Sequence, residues 1–416
     1  MPRFRSLAAV VALACAVGTA AVVVGVPGAR APHRRAHAVA ARSPFGAAAL
    51  GLDGLPAALR SKLADSPHAY FRFVNKPWTQ AVCDEYRSDA ASLPQVRLHG
   101  DAHVEQYAVT GDSRGLDDFD DSAMGPGVVD IVRFLGSLHL VALQKGWQVQ
   151  TPRFVDAFFR GYLHALGDPG YSPVEPAIAA RLRKKQPRTQ EQFLAWAESL
   201  MSVGPPDMME MLKQGIAGFR SSALEQVPQL TDDNVRVKKW GILQMGIGSA
   251  LTRKVLMRVE GQTPAADDDV IIEAKELVRL DSASCVSIPP PIEAFRVVDA
   301  ASQLGRLHHT LLVVVPKPMP DATSSPGWWV RSWDPTYREL EISDIRTPGD
   351  LLEVAEDAGA QLGAANTHDG PGRERVDQRQ RERVGVDRLQ WRIRRTAIRL
   401  TAEVHEAWRT LQSGAR

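Results

Sequence analysis

The spacing of apolar residues divides the chain into a helical first half, a strand-rich stretch and a helical end. Over 129–147 and again over 153–166, apolar side chains recur every three or four residues, which predicts two amphipathic helices. Shorter helices are predicted at 52–64, 189–203, 206–219 and 291–306. Two longer helices are predicted at 348–365 and 375–412, and Gly385 is expected to interrupt the second.

The pattern changes near residue 235, where short runs rich in β-branched and aromatic residues alternate with turn residues. These runs predict strands at 235–237, 251–259, 270–272, 311–315 and 328–332. The order indicates an α+β protein with a lobe boundary near 225–235. The expected organisation is a helical lobe at 51–230, a strand-rich region at 231–345 and C-terminal helices at 346–416.

The N-terminus has the pattern of a secretory signal. Arg3 and Arg5 precede an apolar run over 7–26, and small residues at Ala29 and Ala31 follow at the spacing that signal peptidase cleaves. We therefore expect a signal peptide at 1–31, a linker at 32–50, and export to the periplasm or the exterior. An uncleaved anchor is the alternative, because an apolar run of this length can also span a bilayer. It is the one membrane contact that the sequence suggests.

Composition adds limits on function. The chain has 416 residues, which favours two lobes, and a formal net charge of +2, which gives no basic field for nucleic acid. Its three cysteines form no metal-binding cluster. Cys83 and Cys285 are expected to be buried free thiols, although they could pair in an oxidising compartment.

The chemically densest segment runs from His99 to Asp130. Asp101 is followed by a run of four acids and a phenylalanine at 117–121. Carboxylates held close together repel one another unless a metal ion or an arginine neutralises them. Apolar neighbours such as Leu98 and Tyr107 indicate that the segment is buried. A solvated acidic loop is the alternative interpretation.

This segment resembles the aminoglycoside and choline kinase branch of the protein-kinase-like fold. The resemblance rests on His-Gly-Asp-x-His at 99–103, Asp-Phe-x-Asp at 118–121 and an aspartate at the start of the next helix. It implies that Asp101 is the catalytic base on the acceptor hydroxyl. It also implies that Asp118, assisted by Asp120, binds Mg²⁺ or Mn²⁺ together with Gln106. Those kinases have asparagine at the position of Gln106, so the longer amide is a departure from the pattern. His99, Asp130 and Arg133 are expected to support the site structurally.

A closer resemblance is to a bacterial family, domain of unknown function 2252. It rests on Gly100-Asp101-Ala102-His103, on 117–121 with Gly125-Pro126, on Asp130 with Arg133, and on the upstream pair Phe71-Arg72. The resemblance covers 67–145 well and the remainder loosely. Since that family has no established activity, the functional expectation depends on the kinase-like analogy.

Two further motifs resemble the nucleotide-binding lobe of kinases, but they follow the catalytic segment. Gly246 and Gly248 resemble a glycine-rich loop over nucleotide phosphates, and Lys275 resembles the strand lysine that contacts those phosphates. Family 2252 has a similar stretch in the same order. The order implies a circularly permuted, two-lobed kinase-like fold. Asp299, with Glu293 before it, is the expected acidic partner of Lys275.

The resulting prediction is a phosphotransferase that uses ATP or another nucleotide and a small-molecule hydroxyl or amine. The acceptor itself is not identified by the sequence. A non-catalytic ligand-binding protein on the same fold is the main alternative. A metal-dependent phosphoesterase is a weaker one, because Asp101-x-His103 lacks the later ligand motifs of that class. His103 is then expected to be a buried histidine that anchors the loop.

Overall fold

The computed structural model describes residues 43–168, 170–185, 189–204, 236–243, 253–261, 263–277, 283–288, 295–307, 312–316, 327–365 and 372–414. The signal and linker regions therefore lie almost wholly outside the described residues, as does the helix expected at 206–219. The chain mixes helices and antiparallel sheet, which is consistent with the α+β class. No helix in the ranges above has the length and apolar character needed to cross a membrane.

The helices, numbered in chain order, are α1 (Ala57–Asp65), α2 (Pro67–Phe73), α3 (Asn75–Glu85), α4 (Val128–Lys145), α5 (Thr151–Gly167), α6 (Ala177–Lys184), α7 (Gln190–Ser199), α8 (Arg296–Leu304), α9 (Pro348–Ala365) and α10 (Gly372–Gly414). Short 3-10 helices occur at Leu52–Gly54, Val104–Gln106, Gln148–Gln150, Ala266–Asp268 and Ile342–Asp344.

The strands are β1 (Gln95–Leu98), β2 (Tyr107–Val109), β3 (Arg114–Leu116), β4 (Ala123–Pro126), β5 (Met201–Ser202), β6 (Val237–Leu243), β7 (Lys254–Val259), β8 (Val270–Glu276), β9 (Leu312–Pro316), β10 (Gly327–Ser332) and β11 (Arg338–Glu339). They form a six-stranded sheet in the order β5-β6-β7-β8-β10-β9, a three-stranded sheet β11-β2-β3 and the pair β1-β4.

The main hydrophobic core lies among the helices. It joins side chains of α4 and α5 to those of α9 and α10, so both ends of the described chain share one core. Glycines allow α5 and α9 to pack closely: a Cβ on Gly161 would lie 2.0 Å from the carbonyl oxygen of Glu356, and a Cβ on Gly359 would lie 2.2 Å from that of Phe158. Larger residues at either glycine would force these two helices apart.

Helix α10 corrects one expectation from the sequence. Gly385 does not interrupt it, since the helix is continuous from Gly372 to Gly414. A Cβ at Gly385 would lie 2.6 Å from Cδ2 of Leu93. The glycine thus makes room for a neighbouring side chain, and the many helix-forming residues around it outweigh its low helix propensity.

The two cysteines correct a second expectation from the sequence. Cys83 on α3 and Cys285 form a disulfide across 202 residues of sequence, with their Cα atoms 5.2 Å apart. They are not the two free thiols that the sequence favoured. Their proximity depends on tertiary structure, because the intervening chain includes helices α4 to α7 and four strands of the large sheet.

Candidate functional site

The loop after β1 is held by a buried carboxylate at the start of α4. Asp130 accepts hydrogen bonds from the backbone N–H groups of His99, at 2.7 Å, and Gly100, at 3.0 Å. Gly100 has a φ of 86°, and a Cβ there would lie 1.9 Å from the carbonyl oxygen of Asp121. The sequence places glycine where the chain must turn in the left-handed region against another backbone segment. Asp130 therefore has the loop-supporting geometry that the sequence led us to expect.

The proposed base, Asp101, is buried and paired with an arginine. Arg133, one turn after Asp130 on α4, lies 2.7 Å from Oδ1 of Asp101 through its Nη2 atom. The same Nη2 donates to the carbonyl oxygen of Phe71, and the guanidinium stacks 3.7 Å from the Phe71 ring centroid. Burial by itself would raise the pKa of Asp101, but the positive charge of Arg133 outweighs it and lowers the pKa to about 2. Asp101 is thus held ionised and oriented.

Two histidines flank this aspartate. His99 lies with its Nε2 3.0 Å from the carbonyl oxygen of Asp117, while its Nδ1 accepts from the Asp101 N–H, so Nε2 is the protonated nitrogen. His99 therefore joins the loop that carries Asp101, residues 99–103 (the base loop), to the acidic segment 117–121. His103 is buried, and its Nε2 lies 3.5 Å from Oδ2 of Asp101. Burial lowers the pKa of His103 to about 4, so this ring is neutral at pH 7.

The acidic segment 117–121 meets the large sheet at Lys275. The Lys275 ammonium lies 3.3 Å from Oδ1 of Asp118 and also forms an ion pair with Oδ2 of Asp120. Asp118 has a φ of 65°, a left-handed conformation that is uncommon outside glycine. The structure thus brings together two residues 157 positions apart in sequence, one from each motif set.

Charge around Asp118 favours its ionised form. Burial would raise the pKa of Asp118, but the positive charges of Lys275 and Lys254 outweigh this effect and lower the pKa well below its usual range. Asp120 has one carboxylate oxygen in the ion pair with Lys275, and its Oδ1 is buried without a hydrogen-bond partner. An ionised carboxylate and an unpartnered carboxylate oxygen therefore lie on the same short loop.

Several charged residues on the sheet face beside Lys275 were not singled out from the sequence. Lys254 on β7 and Trp329 on β10 are the direct cross-strand neighbours of Lys275. Arg331, two residues after Trp329, pairs with Asp117 at 2.9 Å and with Glu273 at 3.1 Å. The sequence does indicate that Glu273 and Lys275 share one face of β8 and that Trp329 and Arg331 share one face of β10, because residues two apart lie on the same face of a strand. The register that aligns these strands was not available from sequence.

Asp121 is a second residue that sequence analysis left unassigned. Asn75 on α3 donates through its Nδ2 to Oδ2 of Asp121, at 3.0 Å, and to the carbonyl oxygen of Gly100, at 2.9 Å. Burial, together with the negative charges of Asp101 and Asp118, raises the pKa of Asp121 to about 7. The negative charges of Asp101 and Asp118 therefore favour the protonated form of Asp121.

Gln106 ends the 3-10 helix Val104–Gln106 and is buried. Its carbonyl oxygen accepts a hydrogen bond from the Asp117 N–H at 2.9 Å, which ties the base loop to the acidic segment. Its side-chain amide makes no hydrogen bond to another described residue. The backbone of Gln106 therefore contributes to the structure of the loop.

Asp299 does not have its expected position. Its carboxylate lies 3.6 Å from Arg97 and its side chain is 55% exposed, whereas within the described ranges Lys275 pairs with Asp118 and Asp120. The reason is that α8 places Asp299 beside β1 rather than beside the lysine strand. Glu293, Gly246 and Gly248 lie outside the described residues.

The carboxylates around Lys275 are the candidate donors for the expected divalent cation. Within the described ranges, no three His, Cys, Asp or Glu side chains converge as a preformed metal site. The available donors are hard oxygens, which suit Mg²⁺ or Mn²⁺, and the unpartnered Oδ1 of Asp120 is one of them. Lys275 contacts Oδ1 of Asp118 and Oδ2 of Asp120. The residues therefore fit a cation only when Lys275 exchanges its carboxylate contacts for other anions.

Comparison with known proteins adds one match. No curated protein and no solved structure matches the chain. The family described as an uncharacterized protein conserved in bacteria (DUF2252) matches residues 55–196, a range that includes Asp101, the acidic segment and Arg133. This match supports the resemblance to DUF2252 for the part of the chain that carries the base loop.

Proposed function

We propose that this protein is a kinase-like phosphotransferase that moves the terminal phosphoryl group of a nucleotide to a hydroxyl or amine of a small molecule. The proposed architecture is a circularly permuted kinase-like fold, with the base loop encoded before the sheet that carries the phosphate-binding lysine. The observation that carries the proposal is the meeting of Lys275 and Asp118, at 3.3 Å, beside a loop that Asp130 holds by two backbone hydrogen bonds.

The base loop supplies orientation more than proton affinity. Asp101, held ionised by Arg133, would accept a hydrogen bond from the acceptor hydroxyl and point it at the phosphorus atom. A low pKa is compatible with this role, because phosphoryl transfer has a loose transition state with little proton transfer before bond formation. Arg133 and Asp130 act through Asp101 and its backbone and are positioning residues.

The sheet and the acidic segment would hold the phosphates. When a nucleotide binds, Lys275 would exchange Asp118 and Asp120 for phosphate oxygens, which frees both carboxylates. Asp118, Asp120 and the Gln106 amide would then hold a divalent cation, whose charge offsets that of the phosphates. Both carboxylates would thus stay next to a positive charge, that of Lys275 before the nucleotide binds and that of the divalent cation afterwards.

The test compares turnover with nucleotide affinity. We would incubate the purified chain with terminally labelled ATP, Mg²⁺ and a pool of small hydroxyl and amine compounds, beside Asp101→Asn and Lys275→Met. Loss of label transfer with preserved ATP affinity is expected for Asp101→Asn, because its contact matters most in the transition state. Lys275→Met is expected to weaken ATP binding. Label transfer by Asp101→Asn at the wild-type rate would exclude the assigned base.

A non-catalytic binding protein is the second candidate, and the ion pairs of Lys275 favour it. The lysine is already neutralised by Asp118 and Asp120. This candidate expects nucleotide or ligand binding that Mg²⁺ does not affect, and no label transfer by any variant. The same experiment therefore separates the two functions.

We also propose that the protein is exported. The N-terminal signal pattern gives the route, and the disulfide between Cys83 and Cys285 is of the kind that persists in oxidising compartments. Fractionation of cells that express the tagged chain tests this. Recovery of the full-length chain in the cytosolic fraction, with both thiols reduced, would contradict it.

A further inference from the structure

Helix α10 exposes a line of apolar side chains along its outer side. Val376, Val384, Trp391 and Ile398 are each more than half exposed, whereas Ile393 on the opposite side is fully buried in the core. The last three of the four are seven residues apart, which is close to two helical turns, so they lie almost in line. From Val376 to Ile398 the line is about 33 Å long, at 1.5 Å per residue. These four residues are the α10 stripe.

Arginines border the α10 stripe on both sides. Arg381, Arg388 and Arg395 each lie three residues before a residue of the stripe, and Arg383 lies on the other side of it. The guanidinium of Arg395 stacks 4.5 Å from the ring centroid of Trp391. The outer side of α10 is therefore an apolar line with cationic edges.

The charge of this part of α10 is positive even after its ion pairs are counted. Residues 381–399 include seven arginines and two acids, and one of the acids, Glu382, is fully buried. Four of the arginines pair with nearby carboxylates, namely Arg388, Arg392, Arg394 and Arg399. The other three form no ion pair with a residue that the structure describes. Three such arginines against one exposed acid, Asp387, leave a positive surplus beside the stripe.

A cavity of about 630 Å³ opens beside the C-terminal end of the α10 stripe. Ile398 lines it together with Leu143 of α4 and Val155 of α5, and its lining is mainly apolar, with Arg394 and Glu406 as charged residues. Ile398 and Leu143 are also exposed, so the cavity is open to the surface next to the stripe. Its volume is in the range that accommodates an apolar group larger than one side chain.

We propose that α10 docks the protein on the surface of an anionic phospholipid membrane. The α10 stripe would lie in the headgroup region, and the arginines would contact lipid phosphates. A helix with an apolar line and a cationic polar face lies in the plane of the interface. Tryptophan favours this depth, and arginine can rest its aliphatic stem on apolar surface while its charge reaches the phosphates. The inference does not depend on the proposed phosphotransferase activity.

A second copy of the chain fits this surface less well. Pairing of two α10 stripes would bring Arg381, Arg388 and Arg395 of one helix close to the same arginines of the other. Like charges beside an apolar seam oppose helix pairing, whereas an anionic surface neutralises them.

The experiment measures co-sedimentation of the chain 32–416 with vesicles. This chain keeps every residue that the structure describes and omits the apolar run at 7–26, which would insert by itself. The vesicles contain phosphatidylcholine alone or phosphatidylcholine mixed with phosphatidylglycerol. We expect binding to the mixed vesicles, weakened roughly tenfold in Trp391→Ser and about fivefold in Arg395→Gln. Both variants should melt at the wild-type temperature, because both side chains are exposed.

Matched control variants remove similar side chains elsewhere. Val174→Ser changes a residue that is 92% exposed between α5 and α6, and Arg236→Gln changes a 75% exposed side chain just before β6. Both should bind the mixed vesicles as the wild type does. Equal binding of wild type and Trp391→Ser would overturn the role of the α10 stripe.

The remaining outcomes test the choice of an anionic membrane. A wild type that binds neither kind of vesicle, or binds both equally, would overturn the proposal. Sedimentation equilibrium tests the competing occupant. A wild-type dimer that Trp391→Ser converts to a monomer would identify a second copy of the chain as the occupant of the stripe and would also overturn the proposal.

Discussion

Asp130 offers the sharpest test of how the base loop is held. The residue is 4% exposed, and its carboxylate accepts hydrogen bonds from the N–H groups of His99 and Gly100. Replacing it with alanine removes both acceptors and leaves two buried donors without partners. We therefore expect Asp130→Ala to lower the free energy of unfolding and to disorder the loop that carries Asp101.

The magnitude follows from the two lost hydrogen bonds. A buried donor left unsatisfied costs about 1–3 kcal/mol, which gives an upper estimate of about 6 kcal/mol for the pair. Burial raises the pKa of Asp130, so the folded protein already bears a cost for the ionised carboxylate, and alanine relieves that cost. We expect a net loss of about 2–4 kcal/mol. Asp130→Asn, which keeps one acceptor oxygen, should lose about half as much.

Urea unfolding followed by circular dichroism measures the loss, with Asp156→Ala as the control. The Asp156 side chain is 60% exposed and pairs with Arg394 on the surface, so its removal should cost less than about 1 kcal/mol. Hydrogen exchange by mass spectrometry over 97–104 should show faster exchange in Asp130→Ala alone. An Asp130→Ala protein as stable as the control, with unchanged protection of that peptide, would refute the reasoning.

Three other perturbations have defined outcomes. Burial raises the pKa of Glu382 to about 7, so the stability that this group contributes is complete below about pH 4.5 and is lost as pH rises through 7. In urea unfolding, Glu382→Gln should therefore have a free energy of unfolding about 3 kcal/mol higher than wild type at pH 8 and equal to wild type at pH 4.5. Replacing Cys83 and Cys285 by serine should lower the free energy of unfolding by at most about 5 kcal/mol, because the disulfide closes a 202-residue loop. Alkylation of both cysteines in the unreduced wild type would contradict the pairing. Gly100→Ala should abolish the proposed phosphoryl transfer and lower the melting temperature, since the added Cβ would overlap the carbonyl oxygen of Asp121. A variant that melts at the wild-type temperature would show that the loop can shift to accept the side chain.

Local patterns predicted the helix that carries Asp130 and Arg133 and part of the strand that carries Lys275, but not the strands β1 to β4 around the base loop. The apolar period over 348–365 matches the bounds of α9, and the spacing around Asp130 placed this aspartate at the start of a helix. The supporting role of Asp130 was implied by the resemblance to kinase-like folds, and its hydrogen bonds to the N–H groups of His99 and Gly100 have that geometry. These features depend on residues close in sequence.

Partners distant in sequence were predicted less well. Asp299 was expected beside Lys275 and lies beside Arg97. The disulfide of Cys83 and Cys285 was not favoured. Such pairs depend on where whole elements pack, and a sequence alone does not fix the distance between two elements.

The sequence by itself determined the helical and strand-rich segments and the concentration of acids around Asp118. Propensity, periodicity and motif spacing are local properties, so they can be read along one chain. Only the tertiary structure decided that Lys275 neutralises this acidic segment and that Arg133 pairs with Asp101. Those outcomes depend on the register of the large sheet and on its packing against the helices, where a shift of one residue would turn Lys275 away from the site.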